Sequence, residues 1–211
     1  AAVSVRVICS RPVFDAAEIR TRHVAMPLAW FERDHGFAEK NATYIEAALA
    51  LAARAASSCL ERAGVRPGAV DHIVLASTTG LATPSLEARL ANQLGFRGDC
   101  KRTPLWGLGC AGGAAGLARA AEFALADPEA LVLFVAVELC SLTFQRNDFS
   151  RENFVATALF ADGAAAVLLA GSAATSRLNG HGPLGHAPAA PRLEVVCAAS
   201  RMRPDSLDVM G

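Results

Sequence analysis

Two runs of the sequence are apolar enough to fix the fold class: Asp71-His-Ile-Val-Leu-Ala-Ser-Thr78 and Ala130-Leu-Val-Leu-Phe-Val-Ala-Val137. A strand apolar through its middle is buried on both faces, and such strands belong to sheets covered by helices. Between the two runs, an Ala-rich stretch continuing to about Ala126 reads as a helix, and Asp127-Pro128 turns the chain back. Strand, helix and strand with a crossover of this length pair in parallel. The expected class is α/β.

The junction ahead of that helix is Pro104-Leu-Trp-Gly-Leu-Gly-Cys110-Ala-Gly-Gly-Ala-Ala-Gly-Leu-Ala-Arg-Ala120. One cysteine sits among glycines at 107, 109, 112, 113 and 116. Glycine accepts backbone angles and close approaches that other residues refuse. A thiol at a helix start faces the positive end of the helix dipole, which favours the thiolate. The stretch therefore predicts a sharp strand-to-helix turn presenting an activated nucleophile. Most cysteines are small apolar core residues; the glycine setting separates Cys110 from them. A rival reading stays open at this point. Gly107-Leu-Gly109-Cys-Ala-Gly112 also fits the G-x-G-x-x-G spacing of dinucleotide-binding turns, with Glu138 as the ribose contact. Against it, Glu138 comes later than the usual ~20 residues.

The flanking elements follow from local signals. Thr43-x-x-Glu46 predicts a capping box opening a helix that Gly64 ends. Pro84 precedes a helix over Ser85–Leu94, stopped by Gly95. Val3–Cys9, Ala164–Ala170 and Arg192–Ala199 read as strands, residues 171–191 as a surface loop, and 144–154 as a loop entering a helix. Thr78-Thr79-Gly80 falls past the end of a buried strand, where α/β proteins place ligand contacts. Glu138, beside an apolar run, must be paired or neutral; it either holds a loop in place or lies near the thiol. Ile19-Arg-Thr-Arg-His23 is either a solvated basic face or a contact for an anionic cofactor. Asp34 and His35 read as a surface turn, and His72 as structural.

Composition narrows the function. Twenty basic residues balance twenty acidic ones, so nothing points to nucleic acid or an anionic membrane. Cysteines fall at 9, 59, 100, 110, 140 and 197 with no C-x-x-C pair, which argues against a zinc site or a dithiol redox motif. Scattered thiols of this kind suit a reducing cytoplasm. No uncharged apolar run is long enough to span a membrane.

Several stretches together resemble the type III polyketide synthases, chalcone synthase-like condensing enzymes of the thiolase fold. They are Ile19–His23, Ser77-Thr-Thr-Gly-Leu-Ala-Thr-Pro-Ser85, Gly107–Gly116, Glu138-Leu-Cys-Ser-Leu-Thr-Phe144, Ala158-Leu-Phe-Ala-Asp-Gly-Ala-Ala-Ala166 and Pro204–Gly211. The wording is most like bacterial members, including alkylresorcinol and alkylpyrone synthases. The resemblance implies a layered α-β-α thiolase fold, of which the whole chain, 1–211, is the N-terminal, nucleophile-bearing half. It implies Cys110 as the acyl-accepting nucleophile and Phe160 as the gate between a coenzyme A tunnel and the reaction cavity. It implies Thr78, Cys140, Thr143 and Thr157 as cavity lining, and Thr83 on a loop reaching into the partner of a homodimer. Arg20 and Arg22 fall where the cofactor's anionic groups would be met. Cys140 replaces the threonine usual in plant members. The substrates implied are acyl-CoA and malonyl-CoA, with no permanently bound cofactor and no metal. The family's catalytic His and Asn would follow Gly211; none of His23, His35, His72, His181 or His186 matches them. Alternatives are a ketoacyl synthase or thiolase-like enzyme acting on a carrier protein, and a non-catalytic dimer scaffold.

Overall fold

The structure, a computed structural model, describes residues 12–174, 178 and 193–205. Its centre is a four-stranded sheet of β1 (His72–Ala76), β2 (Lys101–Leu105), β3 (Leu131–Leu139) and β4 (Asp162–Ala170), in spatial order β2-β1-β3-β4. β1 pairs in parallel with β2 and β3, as the crossover lengths require, and β4 runs antiparallel to β3. The helices are α1 (Phe37–Ala63), α2 (Leu86–Leu94), α3 (Gly112–Ala126) and α4 (Arg151–Leu159).

Side chains of β1 and β3 alternate between two cores, because strand periodicity is two. Ile73, Leu75, Leu131, Leu133, Val135 and Val137 face α1. Val74, Ala76, Val132 and Phe134 face α3. α1 turns an alanine stripe to the sheet: Ala48, Ala52 and Ala56 are fully buried, between Tyr44 and Leu60. Small side chains let the helix approach closely, and spacing by four keeps them on one face. The other face needs a gap instead. A Cβ on Gly116 of α3 would stand 2.2 Å from the Phe134 ring, so only glycine lets helix and ring meet.

Four expectations are corrected. α1 opens at Phe37, six residues before the presumed capping box, and Thr43 inside it donates to the Glu39 carbonyl at 3.0 Å. The packing of Tyr44 onto the sheet outweighs the local capping signal. Residues 193–200 form no strand: Leu193 and Val196 stay 95% and 84% exposed, so the apolar run gains no burial that would hold it to a sheet. The start of the expected surface loop is packed: Gly171 donates to the Ala130 carbonyl at 2.9 Å, and Ala174 is fully buried. The His35 side chain is buried rather than on the surface, stacked on Trp30 at 3.6 Å. His72 fits its structural reading, bonded to Thr103 at 2.8 Å and packed on Phe123. Val3–Cys9, most of 171–191 with His181 and His186, and 206–211 lie outside the described residues.

Gly116→Ala tests the helix–ring contact. In an ordinary helix interior this change adds about 1 kcal/mol. Overpacking against Phe134, about 1–3 kcal/mol, reverses the sign. Urea unfolding is expected to show a net loss of about 1–2 kcal/mol, largely recovered by adding Phe134→Leu. A stabilised single variant would contradict the contact.

Candidate active site

β1 and β3 are parallel, so the residues leaving them emerge on the same side of the sheet. Ser77, Thr78 and Thr79 follow β1, while β3 runs two residues beyond its expected end because β4 extends the ladder to Leu139↔Asp162. Glu138 thereby lies on the strand, half-buried, aimed at the β1 loop. Its carboxylate accepts from Thr78 N at 2.9 and 3.0 Å, from Thr79 N at 3.0 Å and from the Thr79 hydroxyl at 2.8 Å. Thr79 Oγ1 in turn accepts from Leu139 N at 2.9 Å. Beneath this loop the Tyr44 hydroxyl meets Ser77 Oγ at 2.6 Å, and a Cβ on Gly80 would strike the Tyr44 ring at 2.1 Å.

The loop holds the cysteine turn. Thr78 Oγ1 accepts from Gly109 N at 3.2 Å, one residue before Cys110. Gly107 and Gly109 have φ of 81° and 51°, the left-handed region where a side chain is strained. A 3-10 turn over Gly109–Ala111 leads directly into α3, and no side chain caps the helix start. Cys110 is exposed. The expected strand-to-helix turn is thus built by β2, two left-handed glycines and α3, and Glu138 anchors it through Thr78.

A cavity of about 260 Å³ opens beside the 3-10 turn Cys140–Thr143. Arg22, Cys140, Thr143, Thr157 and Phe160 all line it, five positions picked from sequence and brought together here. The Thr143 and Thr157 hydroxyls donate to the carbonyls of Cys140 and Asn153 at 2.8 and 2.7 Å, which leaves the wall more apolar than its composition. Thr78 and Cys110 border the cysteine turn rather than this cavity. Arg20 is exposed and outside it. Thr83 is also exposed and outside it; its carbonyl accepts from Arg89 at 3.4 Å. Arg22 faces inward and its guanidinium donates to the Ala158 carbonyl, next to the Phe160 segment.

Two carboxylates shape the site from outside its predicted lining. One is Glu138, which the sequence required to be paired and which holds the β1 loop. The other is Asp162, which accepts from Ala25 N at 2.6 Å, Ser141 N at 2.7 Å and Ser141 Oγ at 2.5 Å. It ties two chain segments, at Ala25 and at the cavity-lining Ser141, to the first rung of β4. A carboxylate opening an apolar strand must find donors, and that argument applies to Asp162 as it does to Glu138.

The thiols differ. Burial pushes Cys140 up to about 11, reinforced by Glu138, Asp162 and Cys110, so Cys110 lies within its electrostatic reach. Among the described residues no His/Cys/Asp/Glu group could hold a metal, and no helix is long and apolar enough to cross a membrane.

A parallel-centred sheet with a cysteine turn at the head of a helix, beside an apolar cavity, is the architecture of the thiolase-like enzymes. Residues 13–173 match the family model for the N-terminal domain of chalcone and stilbene synthases, and the chain belongs to that family, the type III polyketide synthases. It is 44% identical over 203 residues to a putative chalcone synthase of Bacillus subtilis (strain 168), covering 94% of this chain and 53% of that protein. It is 47% identical over 167 residues to the 1,3,6,8-tetrahydroxynaphthalene synthase of Streptomyces peucetius subsp. caesius, covering 79% and 44%. The crystal structure of 1,3,6,8-tetrahydroxynaphthalene synthase from Streptomyces coelicolor A3(2) superposes with a TM-score of 0.74 at 33% identity, covering 78% of this chain and 47% of that one. The chain thus spans about half the length of the relatives it matches. Its G-x-G-x-x-G spacing belongs to the turn of this family and not to a dinucleotide fold.

Two measurements check the geometry. Glu138→Ala strands the Thr78 and Thr79 amides, and a buried unsatisfied donor costs about 1–3 kcal/mol. A loss of about 2–4 kcal/mol is expected on urea unfolding, with a smaller loss for Glu138→Gln, which keeps an acceptor. For Cys140, a thiol pushed up to about 11 is ionised to roughly one part in a thousand at pH 8. Mass-mapped alkylation of Cys140 by iodoacetamide should therefore be very slow at pH 8 and rise about tenfold per pH unit until near 11. Fast alkylation at pH 8 would contradict the burial.

Proposed function

We propose that the protein loads an acyl-CoA starter on Cys110 and extends it by decarboxylative condensation with malonyl-CoA. The Cys110 thiolate attacks the thioester carbonyl, and the coenzyme A thiol leaves with a proton. Malonyl-CoA then loses CO₂, and the resulting carbanion attacks the acyl-cysteine carbonyl. The Cys110 thiolate is released, and the chain leaves as a β-ketoacyl-CoA. Repeated extension gives a poly-β-keto chain that closes to an aromatic ring or a pyrone. The observation that carries this reading is the position of Cys110: on a turn of left-handed glycines, at an uncapped helix start, anchored through Thr78 to Glu138.

The other residues take roles around it. Phe160 gates the cavity; Cys140, Thr143 and Thr157 set its size, and Thr78 flanks the nucleophile. Arg22, bonded to the Ala158 carbonyl, positions the Phe160 segment and meets the cofactor alongside Arg20. Developing enolate and oxyanion charge needs preorganised donors. In this reading the His and Asn of the second half supply them, with backbone N–H groups at the start of α3. The working unit is a cytoplasmic homodimer in which the Thr83 loop crosses to the partner. Coenzyme A thioesters are substrates, and no cofactor stays bound.

Intact-protein mass of the full-length enzyme, after incubation with a panel of acyl-CoAs, tests the loading step. An acyl adduct is expected on the parent protein and none on Cys110→Ala. An adduct that survives Cys110→Ala would move the nucleophile elsewhere. Loading from acyl-carrier protein but not from acyl-CoA would favour a carrier-dependent ketoacyl synthase.

A further inference from the structure

One carboxylate joins three segments that are remote in the chain. Residues 21–24 have no regular structure, Cys140–Thr143 is a short 3-10 turn, and Phe160 lies between the end of α4 and the start of β4. Asp162 connects them. Its Oδ2 accepts from Ala25 N at 2.6 Å and from Ser141 Oγ at 2.5 Å, and its Oδ1 accepts from Ser141 N at 2.7 Å. Its own N–H donates to the His23 carbonyl at 2.9 Å. These bonds bracket Phe160. Two residues before it, the Ala158 carbonyl accepts from the Arg22 guanidinium. Two residues after it, Asp162 holds His23 and Ala25. Residues 22–25 are thus stapled to 158–162 on either side of the Phe160 ring. Arg22 is fixed at both ends: its backbone by the Asp162 bonds beside it, its head by Ala158 and by the Phe14 ring, whose centroid is 5.5 Å from the guanidinium carbon.

We propose that Asp162 is a positioning residue for thioester capture: it acts through Arg22 and Phe160, and it governs how the coenzyme A portion is held rather than acyl transfer at Cys110. The proposal rests on the acyl-transfer reading above. An arginine that is free in solvent gives up rotamer freedom when it binds an anion, and one already fixed has less to lose. A shift of about 1 Å in a group that positions substrate can cost about a hundredfold, and no other carboxylate among the described residues bonds both Ala25 and Ser141. The Asp162 side chain is itself engaged on both oxygens by protein donors. It therefore shapes the entrance without needing to touch the ligand.

The test follows Cys110 adduct formation by intact mass in the full-length enzyme, at increasing thioester concentration. Linear acyl groups from butanoyl to palmitoyl are each supplied in two forms, as the coenzyme A thioester and as the N-acetylcysteamine thioester, which lacks the nucleotide. Asp162→Ala is expected to raise the half-saturating acyl-CoA concentration about tenfold or more and to leave the saturated loading rate within about threefold. The loading rate from the N-acetylcysteamine thioesters should change by less than about threefold, because they have no nucleotide to be held. Asp162→Asn should fall between, since its amide oxygen can accept from Ala25 N or from Ser141 N but its NH₂ meets the other as a second donor. Combining Asp162→Ala with Arg22→Met should raise the half-saturating concentration by less than the product of the two single effects. Equal losses with both forms of thioester make Asp162 a general structural residue and overturn the proposal. An unchanged response to acyl-CoA in the variants overturns it too. Where Asp162→Ala fails to fold by circular dichroism, Asp162→Asn carries the same comparison, and loss of fold in both overturns the positioning role. Absence of a Cys110 adduct from either form in the parent enzyme overturns the acyl-transfer reading, and this proposal with it.

Discussion

The Glu138 carboxylate at the end of the central strand accepts from two successive backbone amides and one hydroxyl of the β1 loop. That loop has no regular partner of its own, because β1 ends at Ala76 while β3 continues. Buried amides without acceptors are costly, so the loop conformation and the carboxylate position fix each other. Thr78 then carries the constraint to Gly109, and the cysteine turn follows. Asp162 does the same for the neighbouring cavity, one rung along β4. The site is therefore held from the sheet by two acidic side chains on adjacent strands, and neither need touch a substrate to matter.

Close approach is the second constraint. The alanine stripe on α1, Gly116 against Phe134 and Gly80 over Tyr44 each remove a side chain where two elements meet. Such contacts set helix positions to within a few tenths of an ångström, because interiors are close-packed. The start of α3 inherits that precision. Its dipole points where the fold puts Cys110, and the Gly116–Phe134 contact helps set that placement.

Two cysteines thirty residues apart come within electrostatic reach and are given different environments. Cys110 stands exposed at a helix start. Cys140 is half-buried just past the end of β3, where burial, with Glu138 and Asp162 adding to it, pushes its thiol up to about 11. Cys140 is thus kept neutral and lines the cavity, while the thiol at the helix start stays open to solvent. The cavity beside them is made of parts that are far apart in the chain, from Arg22 to Phe160.

Much of this was legible in the residues. Continuous apolar runs fixed β1 and β3, the crossover length fixed their parallel pairing, and the glycine pattern marked the cysteine turn. These signals are local: periodicity, chain reach and allowed backbone angles. The capping pattern at Thr43 and the apolar run at 193–199 were local as well, and they misled: the packing of Tyr44 outweighs the cap signal, and Leu193 and Val196 gain no burial. What only the tertiary structure decided was which polar groups meet. That Glu138 would bond the Thr78 loop and that Asp162 would tie Ala25 to Ser141 depends on segments tens to more than a hundred residues apart. Sequence alone requires that a buried carboxylate find donors; only packing chooses them.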